Sequence, residues 1–78
     1  MRKYPARYRA VISTLKAVRK EKEVGQRELS RRLEQPHNYV NMYEKGQKGI
    51  SAEEFIEICL ELDADPREVI DRVLNHKK

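Results

Sequence analysis

Between residues 26 and 46 the chain carries two short runs with helical spacing, separated by a break that no helix can cross. In the first run Leu29 and Leu33 are four apart and share a helix face. In the second, Val40 and Tyr43 are three apart and share a face in the same way. The break is Glu34, Gln35 and Pro36. Pro36 has no N–H to donate and cannot extend the first helix, and its ring pushes Gln35 away from α geometry. The pattern therefore predicts two short helices meeting at an angle, each with one face hidden and one face free.

The rest of the chain reads as helices that would hold this pair. Tyr8, Val11, Ile12, Leu15 and Val18 make one apolar stripe, which predicts a first helix over 7–23. Gly25 is expected to end it and turn the chain into a second helix over 26–33. A third helix is expected over 37–45, with Gly46 as its left-handed C-cap. Ser51 and Glu54 have the spacing of a capping box, opening a fourth helix that runs to about Leu62 and carries Phe55, Ile58, Cys59 and Leu62 toward the core. Asp65 as N-cap and Pro66 at the first helical position open a fifth, to about Asn75. The expected fold class is all-α, a compact five-helix domain over 7–75, with a basic arm at 1–6 and a basic tail at 76–78.

With 78 residues there is room for one domain and a modest core. Its charge is unevenly placed. Residues 1–20 hold seven basic residues and no acid, whereas residues 51–78 hold four basic and eight acidic ones. A basic front beside two angled helices suits a polyanion, and a helix pair of this shape can lay its second helix in the major groove of duplex DNA. The lone Cys59 cannot form an internal disulfide and sits among apolar residues, so an inert thiol and a cytoplasmic chain are expected. One Cys with two distant His (His37, His76) makes no metal site. No apolar stretch is long enough to span a membrane. Neither a Ser/His/Asp set nor a glycine-rich phosphate loop is present, and the carboxylates Glu53, Glu54, Glu57 and Glu61 have the spacing of a solvated helix, so no enzyme and no cofactor is expected.

Three motifs, Gln26-x-x-Leu29-Ser30-x-x-Leu33, Val40-x-x-Tyr43-Glu44-x-Gly46 and Phe55-x-x-Ile58-Cys59-x-x-Leu62, resemble the lambda-repressor-like (Cro/XRE-type) helix-turn-helix domain. The resemblance spans roughly residues 11 to 72. It implies five helices, sequence-specific binding of double-stranded DNA, usually a two-fold dimer on a palindromic operator, and transcriptional control, often in phages and mobile elements. The chain departs from the family pattern in two places. Ser30 stands for the usual small Ala where helices two and three approach, and in the turn Glu34 stands for the usual Gly and Gln35 for an apolar residue ahead of Pro36. A left-handed Glu34 would cost about 1 kcal/mol.

With Val40 and Tyr43 turned inward, His37, Asn38, Asn41 and Met42 are left toward the groove as candidate base contacts. Asn can pair bidentately with adenine, His can donate to guanine, and Met can meet a thymine methyl. Tyr39 either packs over the turn or offers its hydroxyl to a phosphate. Candidate phosphate contacts are Gln26, Arg27, Lys45, Gln47 and Lys48, together with the basic arm from Arg2 to Arg9. The resemblance further implies that Gln26 braces the start of the third helix at His37, and that Arg19 pairs with Glu44 to fix that helix's angle. Ile56 and Leu60 on helix four, with Ile70, Val73 and Leu74 on helix five, exceed what one small core can hide, which nominates them as a homodimer interface. The leading expectation is a dimeric DNA-binding repressor with no small-molecule ligand. The alternatives are an antitoxin or controller protein using the same domain, and a protein-interaction module that has lost DNA binding.

Overall fold

The structure is a computed structural model that describes residues 4–75. Arg2 and Lys3 of the expected arm, and the tail at 76–78, lie outside the described residues. Five helices follow in order: α1 Ala6–Glu21, α2 Gln26–Arg32, α3 Tyr39–Glu44, α4 Ala52–Glu61 and α5 Pro66–Leu74. Each bound falls within two residues of the sequence reading. α1 opens at Ala6, so Arg7 and Arg9 belong to its first turn and not to an arm. No strand occurs among the described residues.

Four helices end in one way. The first residue past the C-cap turns left-handed, and two amides reach back to orphaned carbonyls of the last turn. At α3 the left-handed residue is Gly46, at φ 78°. At the other three ends it is an acid: Glu23, Glu34 and Asp63, at φ 59°, 58° and 57°. After α2, for example, Glu34 N–H reaches the Arg31 carbonyl at 2.9 Å and Gln35 N–H the Ser30 carbonyl at 3.0 Å. The role assigned to Gly25 is thus corrected. Glu23 makes the turn, while Gly25 is the extended N-cap of α2 at φ −75°, with nothing within 4 Å of an added Cβ.

The starts of α4 and α5 follow the capping logic. Ser51 Oγ accepts from Glu54 N–H at 3.0 Å and Glu54 Oε1 accepts from Ser51 N–H at 2.7 Å. Asp65 accepts from Arg67 N–H at 2.9 Å, with Pro66 at the first helical position. α3 differs. Its N-cap, Asn38, gives no side-chain hydrogen bond, and the cap comes from another helix: Ser30 Oγ accepts from Val40 N–H at 3.1 Å.

Leu15, Leu29, Val40, Tyr43, Ile58, Cys59 and Leu62 are almost wholly buried where the five helices meet. Tyr8, Val11, Leu33, Ile50 and Phe55 pack around them. Full burial of each such aliphatic side chain is worth about 1.5–3 kcal/mol. α3 rests on α2 and α1, and α5 packs on α1 and α4. On α5, Val69 and Val73 are buried while Ile70 and Leu74 stand out. Val73 is therefore a core residue and leaves the set nominated for a dimer interface. Burial raises the Cys59 thiol to about 11, with the Asp65 charge adding to it.

Candidate nucleic-acid interface

α3 is six residues long and starts at Tyr39, two residues later than the sequence pattern suggested. Pro36 sets the start. Its carbonyl accepts from Tyr39 N–H at 2.9 Å, closing a turn that contains His37 and Asn38, and the first helical bond is Met42 N–H to the Asn38 carbonyl. His37 and Asn38 are thus exposed turn residues ahead of the helix, not its first residues. Asn41 and Met42, half-buried, are the candidate base contacts that α3 itself carries. Val40 and Tyr43 are turned into the core.

A chain of polar contacts joins three helices beside this edge. Arg19 of α1 holds Glu44 with two bonds, Nε to Oε2 at 2.7 Å and Nη2 to Oε1 at 3.1 Å, and its Nη1 donates to the Val24 carbonyl at 2.9 Å. The two side chains are 8% and 2% exposed. Gln26, the first residue of α2, donates from Nε2 to Glu44 Oε1 at 2.8 Å. Asn41 in turn donates from Nδ2 to Gln26 Oε1 at 3.2 Å. Gln26 therefore braces the middle and end of α3. Among the described residues no hydrogen bond joins Gln26 to His37, which lies in the turn ahead of α3 and lines a cleft with Arg27, Glu28 and Arg31 of α2.

The remaining candidates divide by what holds them. Tyr39 is a core residue at 6% exposure, edge-on to Tyr43 with ring centroids 5.6 Å apart. Burial pushes its hydroxyl up to about 12, and the neighbouring Glu54 carboxylate, which accepts its hydrogen bond, adds to that. This commits Tyr39 to the interior and corrects its nomination as a phosphate contact. Lys48 lies back over the Tyr39 ring, 5.0 Å from its centroid, and donates to the Gly49 carbonyl at 3.1 Å. Lys45 and Gln47 are exposed. Arg27 is exposed and lines an open cleft of about 390 Å³ with Glu28, Arg31, Gln35 and His37. Within that cleft Glu28 is held by Arg31 and Arg32, which depress its carboxyl to about 2.

Sequence reasoning missed one cation. Lys16 lines an open groove of about 440 Å³ with Arg9, Tyr8, Ile12, Lys45 and Gly46, between α1 and the end of α3. The signal was present, since residues 9, 12, 16 and 19 recur at helical spacing and Arg19 marks the face of α1 that meets α3. No salt bridge involves Lys16, Lys45 or Arg27 among the described residues. The described residues contain no group of His, Cys, Asp and Glu suited to a metal ion, and no helix long and apolar enough to cross a membrane.

Comparison with known proteins gives two findings. The family model described as "Helix-turn-helix domain" matches residues 12–74. A solved structure of an XRE-family like protein from Pseudomonas syringae pv. tomato str. DC3000 is similar with a TM-score of 0.83 at 28% identity, covering 88% of this chain and 84% of that one. No curated protein matches the chain.

Proposed function

The chain belongs to the helix-turn-helix family, as a Cro/XRE-type DNA-binding domain, and from that membership we propose that it is a sequence-specific transcriptional regulator, a repressor that acts as a dimer on a palindromic operator. The disposition of charge around α3 carries this reading. A bare carboxylate would repel phosphates, and Glu44, the acid on this helix, is buried and neutralised by Arg19. Arg27, Lys45 and Lys16, none of which forms a salt bridge among the described residues, lie in the open clefts beside the helix and its polar edge. In the proposed complex His37, Asn38, Asn41 and Met42 face base edges, and Gln26, Arg27, Lys45, Gln47 and Lys16 hold the backbone.

Dimerisation is supported by four large apolar side chains in the open: Ile56 at 45%, Leu60 at 58%, Ile70 at 46% and Leu74 at 59% exposure.

The test is selection of binders from a randomised duplex pool at fixed salt. The expected result is a palindromic consensus whose half-sites lie about one helical turn apart. Lys45→Ala is expected to weaken all sequences alike and to flatten the salt dependence by about one phosphate contact. Weak binding without a consensus would reject the regulator reading and direct the search to a protein partner.

A further inference from the structure

The contacts around Gln26 have a direction. A carboxylate only accepts hydrogen bonds, so Glu44 requires the amino end of the Gln26 amide. That leaves Gln26 Oε1 pointing at Asn41, and a carbonyl oxygen likewise only accepts. Asn41 must therefore turn its own amino end to Gln26. Rotating either amide would set oxygen against oxygen, the inner one being anchored to a carboxylate that Arg19 already holds at 2.7 Å. Asn41 is half-buried on the α3 edge, with Oδ1 and its second Nδ2 hydrogen still unused by any hydrogen bond among the described residues.

We infer that Glu44, acting through Gln26, fixes the order of acceptor and donor on Asn41, and that Asn41 is thereby set to read an adenine in the major groove. This rests on the regulator reading above. Adenine offers an N7 acceptor beside an N6 donor and so matches an amide edge with both bonds. Guanine offers two acceptors there, and its O6 would face Asn41 Oδ1. The sequence pattern gave Asn38 and Asn41 the same chemistry. Only Asn41 is oriented by a neighbour, whereas Asn38 is exposed with no side-chain hydrogen bond as N-cap. Gln26 and Glu44 are positioning residues in this scheme.

The experiment takes the selected duplex and replaces each adenine in turn by 7-deazaadenine, which lacks the N7 acceptor. At one adenine per half-site the wild-type protein is expected to lose about tenfold in affinity, and Asn41→Ala is expected to be insensitive to that replacement. Gln26→Met keeps the length of the side chain and removes its polarity. It is expected to lower the preference for adenine over guanine at that position, and the Gln26→Met/Asn41→Ala double variant is expected to discriminate no worse than Asn41→Ala alone. In the free protein the Asn41 side-chain amide is expected to exchange with solvent more slowly than that of Asn38, a reading that needs no variant. A consensus in which no adenine responds to Asn41→Ala, or equal exchange of the two amides, overturns the inference and leaves the regulator reading intact. Absence of any consensus overturns both.

Discussion

Three acidic residues hold a backbone conformation that suits glycine. Glu23, Glu34 and Asp63 each take a positive φ just past a helix end, and a side chain there costs roughly 1–2 kcal/mol. Negative charge at a helix C-terminus also opposes the helix dipole. Glu34→Gly is therefore expected to stabilise the domain by about 0.5–1 kcal/mol, after allowing for the extra freedom glycine gives the unfolded chain. Urea denaturation would measure it, and a loss of stability would show that the Glu34 side chain makes a compensating contact. The opposite case is Glu44. Its side chain is 2% exposed and accepts from Arg19 and Gln26. Glu44→Ala leaves the Arg19 guanidinium buried without its counter-charge, and is expected to cost about 3–5 kcal/mol in the same measurement. A cost below about 1 kcal/mol would mean that the pair behaves as a surface salt bridge.

α3 could not exist alone, since six residues are far below the length at which an isolated helix is stable. It is held from outside at both ends. Arg19 and Gln26 hold Glu44 in its last turn, and Ser30 of α2 caps the Val40 amide in its first. Ser30 is fully buried, so no water can replace its hydroxyl. Ser30→Ala restores the residue usual in the family pattern but is expected to destabilise this chain by about 1–3 kcal/mol, because Val40 N–H is left buried and unpaired. The loss is expected to concentrate in α3, seen as faster amide exchange at Val40 and Asn41 than in α1. Uniform exchange through the domain would argue against a local role for the cap.

At the scale of the molecule, acid stability follows from the carboxylates. Arg31 and Arg32 hold Glu28 at about 2, and Glu21, Glu54 and Asp65 are also held below the usual carboxylate range by Arg72, the Ser51 amide and the Arg67 amide. A carboxyl depressed by folding contributes stability that is complete above its unfolded value, about 4–4.5, and is lost as pH falls through the folded value. Thermal melts by circular dichroism are thus expected to be flat from pH 7 to about 5 and to fall between about 4.5 and 2. These groups lie at the surface, so each contributes little. Glu28→Gln is expected to flatten part of that fall, and a Tm that rises toward pH 2 would contradict the assignment.

Much of this was legible in the order of residues. The five helices, the caps at Ser51 and Asp65, and the end of α3 at Gly46 depend on side chains within a few positions of one another, and local spacing encodes them. The apolar spacing that makes Val40 and Tyr43 face the core is equally local. The sequence did not reveal which residue turns left-handed after α1. Glycine tolerates that geometry but does not compel it, and the position of Glu23 follows from where Arg19 and Val24 must sit. Nor did it show that Tyr39 and Val73 are core residues while Lys48 folds back, since each outcome depends on how far a neighbouring helix reaches. The arrangement at Asn41 belongs to the same class. Asn38 and Asn41 are chemically identical along the chain, and only the approach of α2 and α1 brings Gln26, and behind it Glu44 and Arg19, against one of them. Sequence alone determined the helices and their apolar faces, because those are short-range steric and hydrophobic choices. Tertiary structure decided the direction of the hydrogen bonds at the edge of α3, because a bond between residues 15, 18 or 25 positions apart exists only once the helices have packed.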